Sequence, residues 1–221
     1  MSPPMSPSVS AGAAPAVLGT RPTVALVDSG GTNIGSVRYA LERIGADARL
    51  TNDADDILSA DRVILPGVGA AGAGMRRLRE AGLVEVLHQV QQPLLGVCLG
   101  MQLLFERSAE DGGTECLGLL SGDVVAIPAQ PGQRVPHMGW NELTATASDP
   151  LTTGLPDGTR AYFVHSYAAP VTSDTLMTTE HCGTWSAVVR SGNRWGAQFH
   201  PERSAGAGAR LLSNFVREVS P

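Results

Sequence analysis

Three stretches hold side chains whose types and spacing could do nucleophilic chemistry. In the first, Pro93 precedes four residues suited to a buried parallel strand, Cys98 stands between Gly96 and Gly100, and Leu103 and Leu104 start a helical apolar stripe. Strand, sharp turn and helix in that order would push the Cys98 side chain above the carboxyl edge of a sheet, where helix N–H groups favour thiolate. In the second, His200 follows a predicted strand, Pro201 confines it to extended backbone, and Glu202 can accept its Nδ1 proton from two residues away. The third, Pro66-Gly67-Val68-Gly69, closes another predicted strand with glycines that let backbone N–H groups approach an oxyanion. A thiol, an imidazole and a carboxylate that orients it are the parts of a nucleophilic triad. Each stretch also has a plain structural reading: Cys98 as a small buried hydrophobe, residues 66–69 as an ordinary turn, and His200 with Glu202 as a solvated ion pair. Their joint occurrence favours the chemistry.

The other histidines rank lower. His88 is expected on a solvated helix face and His181 in a polar turn, while His137 and His165 are expected in loops that could be structural or could line a pocket.

Bringing residues 98 and 200 together needs a sheet. Strand-like stretches at 23–27, 46–50, 62–65 and 94–97 alternate with helical patterns through Val37, Leu41 and Ile44 and through Met75, Leu78, Leu83 and Leu87. This predicts an α/β fold with a doubly wound, largely parallel sheet flanked by helices, its ligand site beyond the carboxyl ends of the strands. From Gly118 onward, short β-like runs at 123–127, 140–143, 160–164, 176–179, 187–190 and 195–199 add antiparallel strands, and a helix over 205–219 closes the chain. Gly30, Gly31 and Gly35 lack phosphate-loop spacing and read as a tight turn.

Composition narrows the class. At 221 residues and 43% hydrophobic content the chain suits one domain, expected over 22–221 after a disordered Pro/Ala-rich tail over 1–21. A net charge of −5 with no basic run argues against nucleic-acid or membrane-surface binding, and no apolar run approaches the roughly 18 residues of a membrane span. Cys98, Cys116 and Cys182 are widely spaced and odd in number, which indicates neither a disulfide framework nor a metal site and fits a reducing, cytoplasmic location.

The motifs Pro66-Gly67-Val68-Gly69, Gly96-Val97-Cys98-Leu99-Gly100-Met101-Gln102 and Gln198-Phe199-His200-Pro201-Glu202, in this order, resemble the class I (triad) glutamine amidotransferases, with a flavodoxin-like sheet. Within that family, Val135-Pro136-His137-Met138-Gly139-Trp140-Asn141 and Tyr162-Phe163-Val164-His165-Ser166-Tyr167 are similar to the glutaminase subunits of imidazole glycerol phosphate synthase, from histidine biosynthesis. The resemblance implies that Cys98 attacks the side-chain amide of glutamine, His200 transfers protons and Glu202 orients it. It implies an oxyanion hole from Val68, Gly69 and Leu99, substrate contacts from Gly67, Gln102, Glu110, His165, Ser166 and Tyr167, and no cofactor. It also implies a separate (β/α)₈ cyclase subunit that forms a heterodimer with this chain and uses the ammonia to make imidazole glycerol phosphate and aminoimidazole carboxamide ribotide. His137, Met138, Trp140 and Arg203 would stand at the partner face or ammonia gate. Arg203 departs from the family pattern, which has lysine after the triad glutamate; arginine keeps the charge but is planar and bulkier. A cysteine peptidase on a similar sheet would use the same nucleophile and histidine, and cleavage of esters or peptides instead of glutamine would reveal it.

Overall fold

The structure, a computed structural model, describes residues 21–28 and 34–220. The expected tail, apart from Arg21, and the tight turn at 29–33 lie outside the described residues. The strands are β1 (Thr23–Val27), β2 (Asp47–Thr51), β3 (Arg62–Gly67), β4 (Leu94–Cys98), β5 (Arg107–Ser108), β6 (Thr114–Glu115), β7 (Asp123–Ala126), β8 (His137–Ala145), β9 (Thr159–His165), β10 (Tyr167–Ala168), β11 (Thr175–Glu180), β12 (Thr184–Ser191) and β13 (Arg194–Ala197). The helices are α1 (Ile34–Arg43), α2 (Ala54–Ser59), α3 (Ala71–Glu80), α4 (Leu83–Gln89), α5 (Leu99–Leu104) and α6 (Ala205–Arg217).

The main sheet runs β2-β1-β3-β4-β13-β12-β11-β8-β9. Its first five strands pair in parallel and the rest antiparallel, so the doubly wound core and antiparallel extension are both present. The two halves join where β13 lies parallel to β4, with Arg194 opposite Leu94.

Both faces of the inner parallel strands are covered, while the edge strand β2 is largely exposed. In β1, Val24 and Leu26 belong to one apolar cluster with α1 and α6, while Ala25 and Val27 belong to another with α2, α3, α4 and α5. That alternation is the period of two a strand imposes. Gly82, at φ +68, separates α3 from α4, a backbone that glycine adopts without strain.

The second half departs from expectation in two respects. The run at 195–199, expected among the antiparallel additions, forms β13, which pairs in parallel with β4 on one edge and antiparallel with β12 on the other. Asp123–Ala126 does not extend the main sheet but joins a small second one, β10-β7-β5-β6, whose other members are two-residue strands. Runs so short carry no periodicity, and their partners lie elsewhere in the chain.

Candidate active site

Cys98 ends β4, with α5 beginning at the next residue. Its φ of 53° and ψ of −112° make it one of the few non-glycine residues with positive φ, a strained backbone that only its surroundings can hold. The glycines around it are there for space. A methyl group on Gly100 would run into the Leu65 carbonyl, and one on Gly96 would stand 2.6 Å from the Met101 Cα. Because β3 pairs in register with β4, Gly67 lies opposite Cys98, and a methyl on Gly67 would press on the Gly100 N at 2.9 Å. The turn from β3 is therefore locked against the start of α5. Gly69 (φ +94) continues that turn, and Val68 beside it is half-buried.

The histidine comes from the neighbouring strand. After β13 the backbone passes Gln198 and Phe199 and reaches His200 in extended geometry, φ −96° and ψ 98°. Pro201–Arg203 then form a single 3₁₀ turn, so Glu202 is carried beneath the imidazole by a turn and not along an extended strand as the i, i+2 spacing suggests. Its Oε1 lies 2.9 Å from His200 Nδ1, with the Glu202 side chain fully buried. The other ring nitrogen is left for Cys98, whose sulfur also acts on the ring. Burial opposes charge on this ring, but the hydrogen bonds to Cys98 and Glu202 and the charges of both outweigh it, pushing His200 up to about 10. Val37, Pro66, Gly67, Val68 and Val97 line a small cavity with His200 and Glu202, which joins the β3 turn to this pair.

Ser204, which the sequence reading did not single out, fastens the loop. Its hydroxyl donates to the His200 carbonyl at 2.7 Å and accepts from the Tyr162 N–H at 2.9 Å. A serine just ahead of the last helix was the available signal.

His137 and His165 are not in loops. His137 opens β8, His165 ends β9, and the two are paired in register. Gly139 breaks the apolar alternation at the start of β8, so the pattern becomes readable only from Trp140. Both rings are buried, with His137 Nδ1 3.0 Å from His165 Nε2, and His181 stacks on His137 at 4.1 Å between centroids. Burial pulls His137 down to about 3 and His165 to about 4, and neighbouring histidines add to both shifts. His88 is exposed on α4, as expected.

The remaining expected site residues fall into two groups. Gln102, on α5, is buried and gives its amide N–H groups to the Tyr167 carbonyl at 2.8 Å and to Gln198 Oε1 at 2.9 Å. Leu99 opens the same helix. Ser166 and Tyr167 lie just beyond His165, half-buried. Glu110 is neither a plain solvated carboxylate nor aimed at the sulfur: its Oε2 accepts from Ala71 N at 2.7 Å, at the first residue of α3. Burial, with Asp111 adding to it, raises its pKa against that bond.

At the expected partner face, Met138, Trp140 and Arg203 are exposed, whereas His137 points inward because neighbouring strand residues face opposite sides. Arg203 lies 4.7 Å over the Tyr162 ring, which meets Trp140 edge-on at 6.0 Å.

A cysteine at the end of one parallel strand, an imidazole from the next strand and a buried carboxylate on that imidazole can form and break a covalent acyl bond. The family described as glutamine amidotransferase class-I matches residues 25–219. The chain belongs to the class-I glutamine amidotransferase family. Within it, the chain is 59% identical over 198 residues to "Imidazole glycerol phosphate synthase subunit HisH" of Xanthomonas axonopodis pv. citri (strain 306), covering 90% of this chain and 98% of that one. It is 55% identical over 193 residues to the protein of the same name from Xylella fastidiosa (strain Temecula1 / ATCC 700964), covering 87% and 96%. A solved structure, PurLQS from Thermotoga maritima, shares the fold with a TM-score of 0.66 at 20% identity, over 89% of this chain and 98% of that one.

Proposed function

We propose that this chain is the glutaminase subunit of an imidazole glycerol phosphate synthase, releasing ammonia from glutamine for use in histidine biosynthesis. The observation that carries the chemistry is the buried run Cys98, His200, Glu202. The particular synthase is supported by the relatives, whose full length the chain spans at up to 59% identity.

The geometry performs the reaction as follows. Protonated His200 is the counterpart of a Cys98 thiolate, which attacks the side-chain amide carbon of glutamine. The oxygen of that amide gains negative charge facing the Leu99 N–H and an N–H of the turn at 67–69; in comparable sites each such donor contributes about 2.7–4 kcal/mol. His200 gives its proton to the departing ammonia, leaving a γ-glutamyl thioester. It then takes a proton from water as the water attacks, and the thiolate leaves to complete glutamate. Glu202 keeps Nδ1 protonated and the ring aligned throughout. Following the family motifs, we assign the contacts to bound glutamine to Gly67, Gln102, Glu110, His165, Ser166 and Tyr167.

We assign residues 22–221 to one amidotransferase domain. Ammonia must leave un-ionised, since in bulk water at neutral pH most would become ammonium. A dry route into a (β/α)₈ cyclase subunit, bound over Met138, Trp140 and Arg203, satisfies this. The cysteines at 98, 116 and 182 are free thiols, as a cytoplasmic location would keep them. Among the described residues no helix is long and apolar enough to cross a membrane.

The test is the assembled synthase with Cys98→Ala. Glutamine-dependent synthesis should vanish while synthesis from added ammonia persists. Glutamate release by that variant would sink the assignment of the nucleophile, and failure to co-purify with the cyclase would sink the choice of synthase.

A further inference from the structure

Two polar groups besides His200 stand at Cys98 Sγ, and they pull in opposite directions. The Val164 carbonyl, 3.9 Å away, can only accept and so favours the protonated thiol. Gln198 Nε2, also at 3.9 Å, can only donate and so favours the thiolate. The balance depends on which way the Gln198 amide is turned.

That choice is made elsewhere in the fold. The Tyr167 carbonyl is a pure acceptor and receives both Gln102 Nε2 and His165 Nδ1, each at 2.8 Å. Gln102 must therefore turn its NH₂ group toward Tyr167, and the second hydrogen of that group goes to Gln198 Oε1 at 2.9 Å. With its oxygen so occupied, Gln198 presents Nε2 to the sulfur. A flipped Gln198 would set two NH₂ groups against each other and a carbonyl oxygen against Sγ. Gln198 is fully buried and Gln102 nearly so, so bulk water does not compete for these bonds.

The same carbonyl orders the histidines. His165 carries its proton on Nδ1 and accepts at Nε2, so His137 donates from Nδ1 and accepts at Nε2 from Asn141 Nδ2, 3.1 Å away. The other Asn141 hydrogen goes to the Glu180 carbonyl at 2.7 Å. Both rings are neutral in this arrangement, in keeping with their lowered pKa values.

We propose that Gln198 is a positioning residue for the nucleophile: its amide N–H holds the Cys98 thiolate toward His200, and its orientation is imposed from the Tyr167 carbonyl through Gln102. The assignment rests on Cys98 being the nucleophile, and it extends the site to a residue that touches neither His200 nor Glu202 in the bonds described.

The experiment follows alkylation of Cys98 by iodoacetamide against pH in the full chain, read on the Cys98 peptide by mass spectrometry so that Cys116 and Cys182 do not contribute. It needs neither glutamine nor the cyclase. The titratable groups facing the site are His200 and Glu202 from the end of β13, and the neutral His165 with His137 and His181 behind it from β8, β9 and the turn after β11. Gln198→Leu should raise the inflection by about one pH unit, the size a hydrogen bond to a charged group supplies. Gln102→Leu, which leaves Gln198 in place but frees its amide, should raise it in the same direction by less. A purely structural role would lower the melting temperature and leave the inflection where it was, so an unchanged inflection in folded Gln198→Leu overturns the proposal. If that variant does not fold, Gln102→Leu decides in the same way. A wild-type Cys98 that titrates as an ordinary thiol would overturn the functional reading itself, an outcome separate from either variant's.

Discussion

His200 and His165 are both buried, both sit just past or at the end of a strand, and both lie beside Cys98, one through its ring and the other through the adjoining Val164 carbonyl. Their charge states nonetheless differ. Burial disfavours the cation in both, but His200 meets a carboxylate and the sulfur, whereas His165 meets a backbone carbonyl and two further histidines. One is pushed up to about 10 and the other down to about 4. Depth alone therefore does not set the charge of a buried imidazole; the charge of its partners does. The site keeps a cation on one side of the sulfur and a neutral, tautomer-fixed pair on the other.

The largest break in this contrast is Glu202→Gln. It leaves the shape intact but removes the carboxylate, so His200 loses both its counter-charge and its fixed Nδ1 proton. Glutamine-dependent kcat of the synthase should fall on the order of 10⁴-fold, by analogy with the loss of an orienting aspartate in a serine triad. A loss of tenfold or less would mean that Glu202 does not set the state of His200.

The second test uses stability. His200, raised from its ordinary 6.5, contributes stability that is fully present below that value and lost as pH rises through about 10. His165 and His137, lowered from 6.5, contribute stability present above that value and lost as pH falls through about 4 and 3. Melting temperature should therefore decline from pH 6.5 downward. In His165→Gln, whose amide can still donate to Tyr167 and accept from His137, that acid decline should shrink by at most about 3 kcal/mol, the energy of His165's own shift. An acid limb identical to the wild type's would contradict a neutral His165.

The smallest effect is expected at Arg203, which hydrogen-bonds neither ring through its side chain. Arg203→Lys keeps the charge and gives up the planar stack on Tyr162, so thermal stability should change by no more than about 1 kcal/mol. A shift of several kcal/mol in this variant would place Arg203 inside the histidine network.

Much of this was legible in the sequence. Apolar runs and helical stripes gave most of the parallel core because β1, β3 and β4 bury both faces, and the three motifs fall at strand ends because the sheet's topology puts them there. What could not be read depends on partners distant in the chain. The pairing of His137 with His165 is a matter of antiparallel register across 28 residues. The orientation of Gln198 is fixed by Gln102, 96 positions away. Glu110 meets the first turn of α3 through a 3₁₀ turn whose Asp111 takes a positive φ, a geometry its acidic composition does not announce.

The junction of β4 and β13 also governs when the centre can form. All five residues of β4 are buried, yet the strand that covers one of its edges begins 100 residues after it, at Arg194. As the chain emerges from the ribosome, Cys98 is made long before His200, and until β13 arrives β4 is an unpaired apolar edge, open to mispairing. Completion of the parallel core must wait for the last eighth of the chain. A nascent or truncated chain lacking residues beyond 193 would carry the sulfur without its base and without its cover.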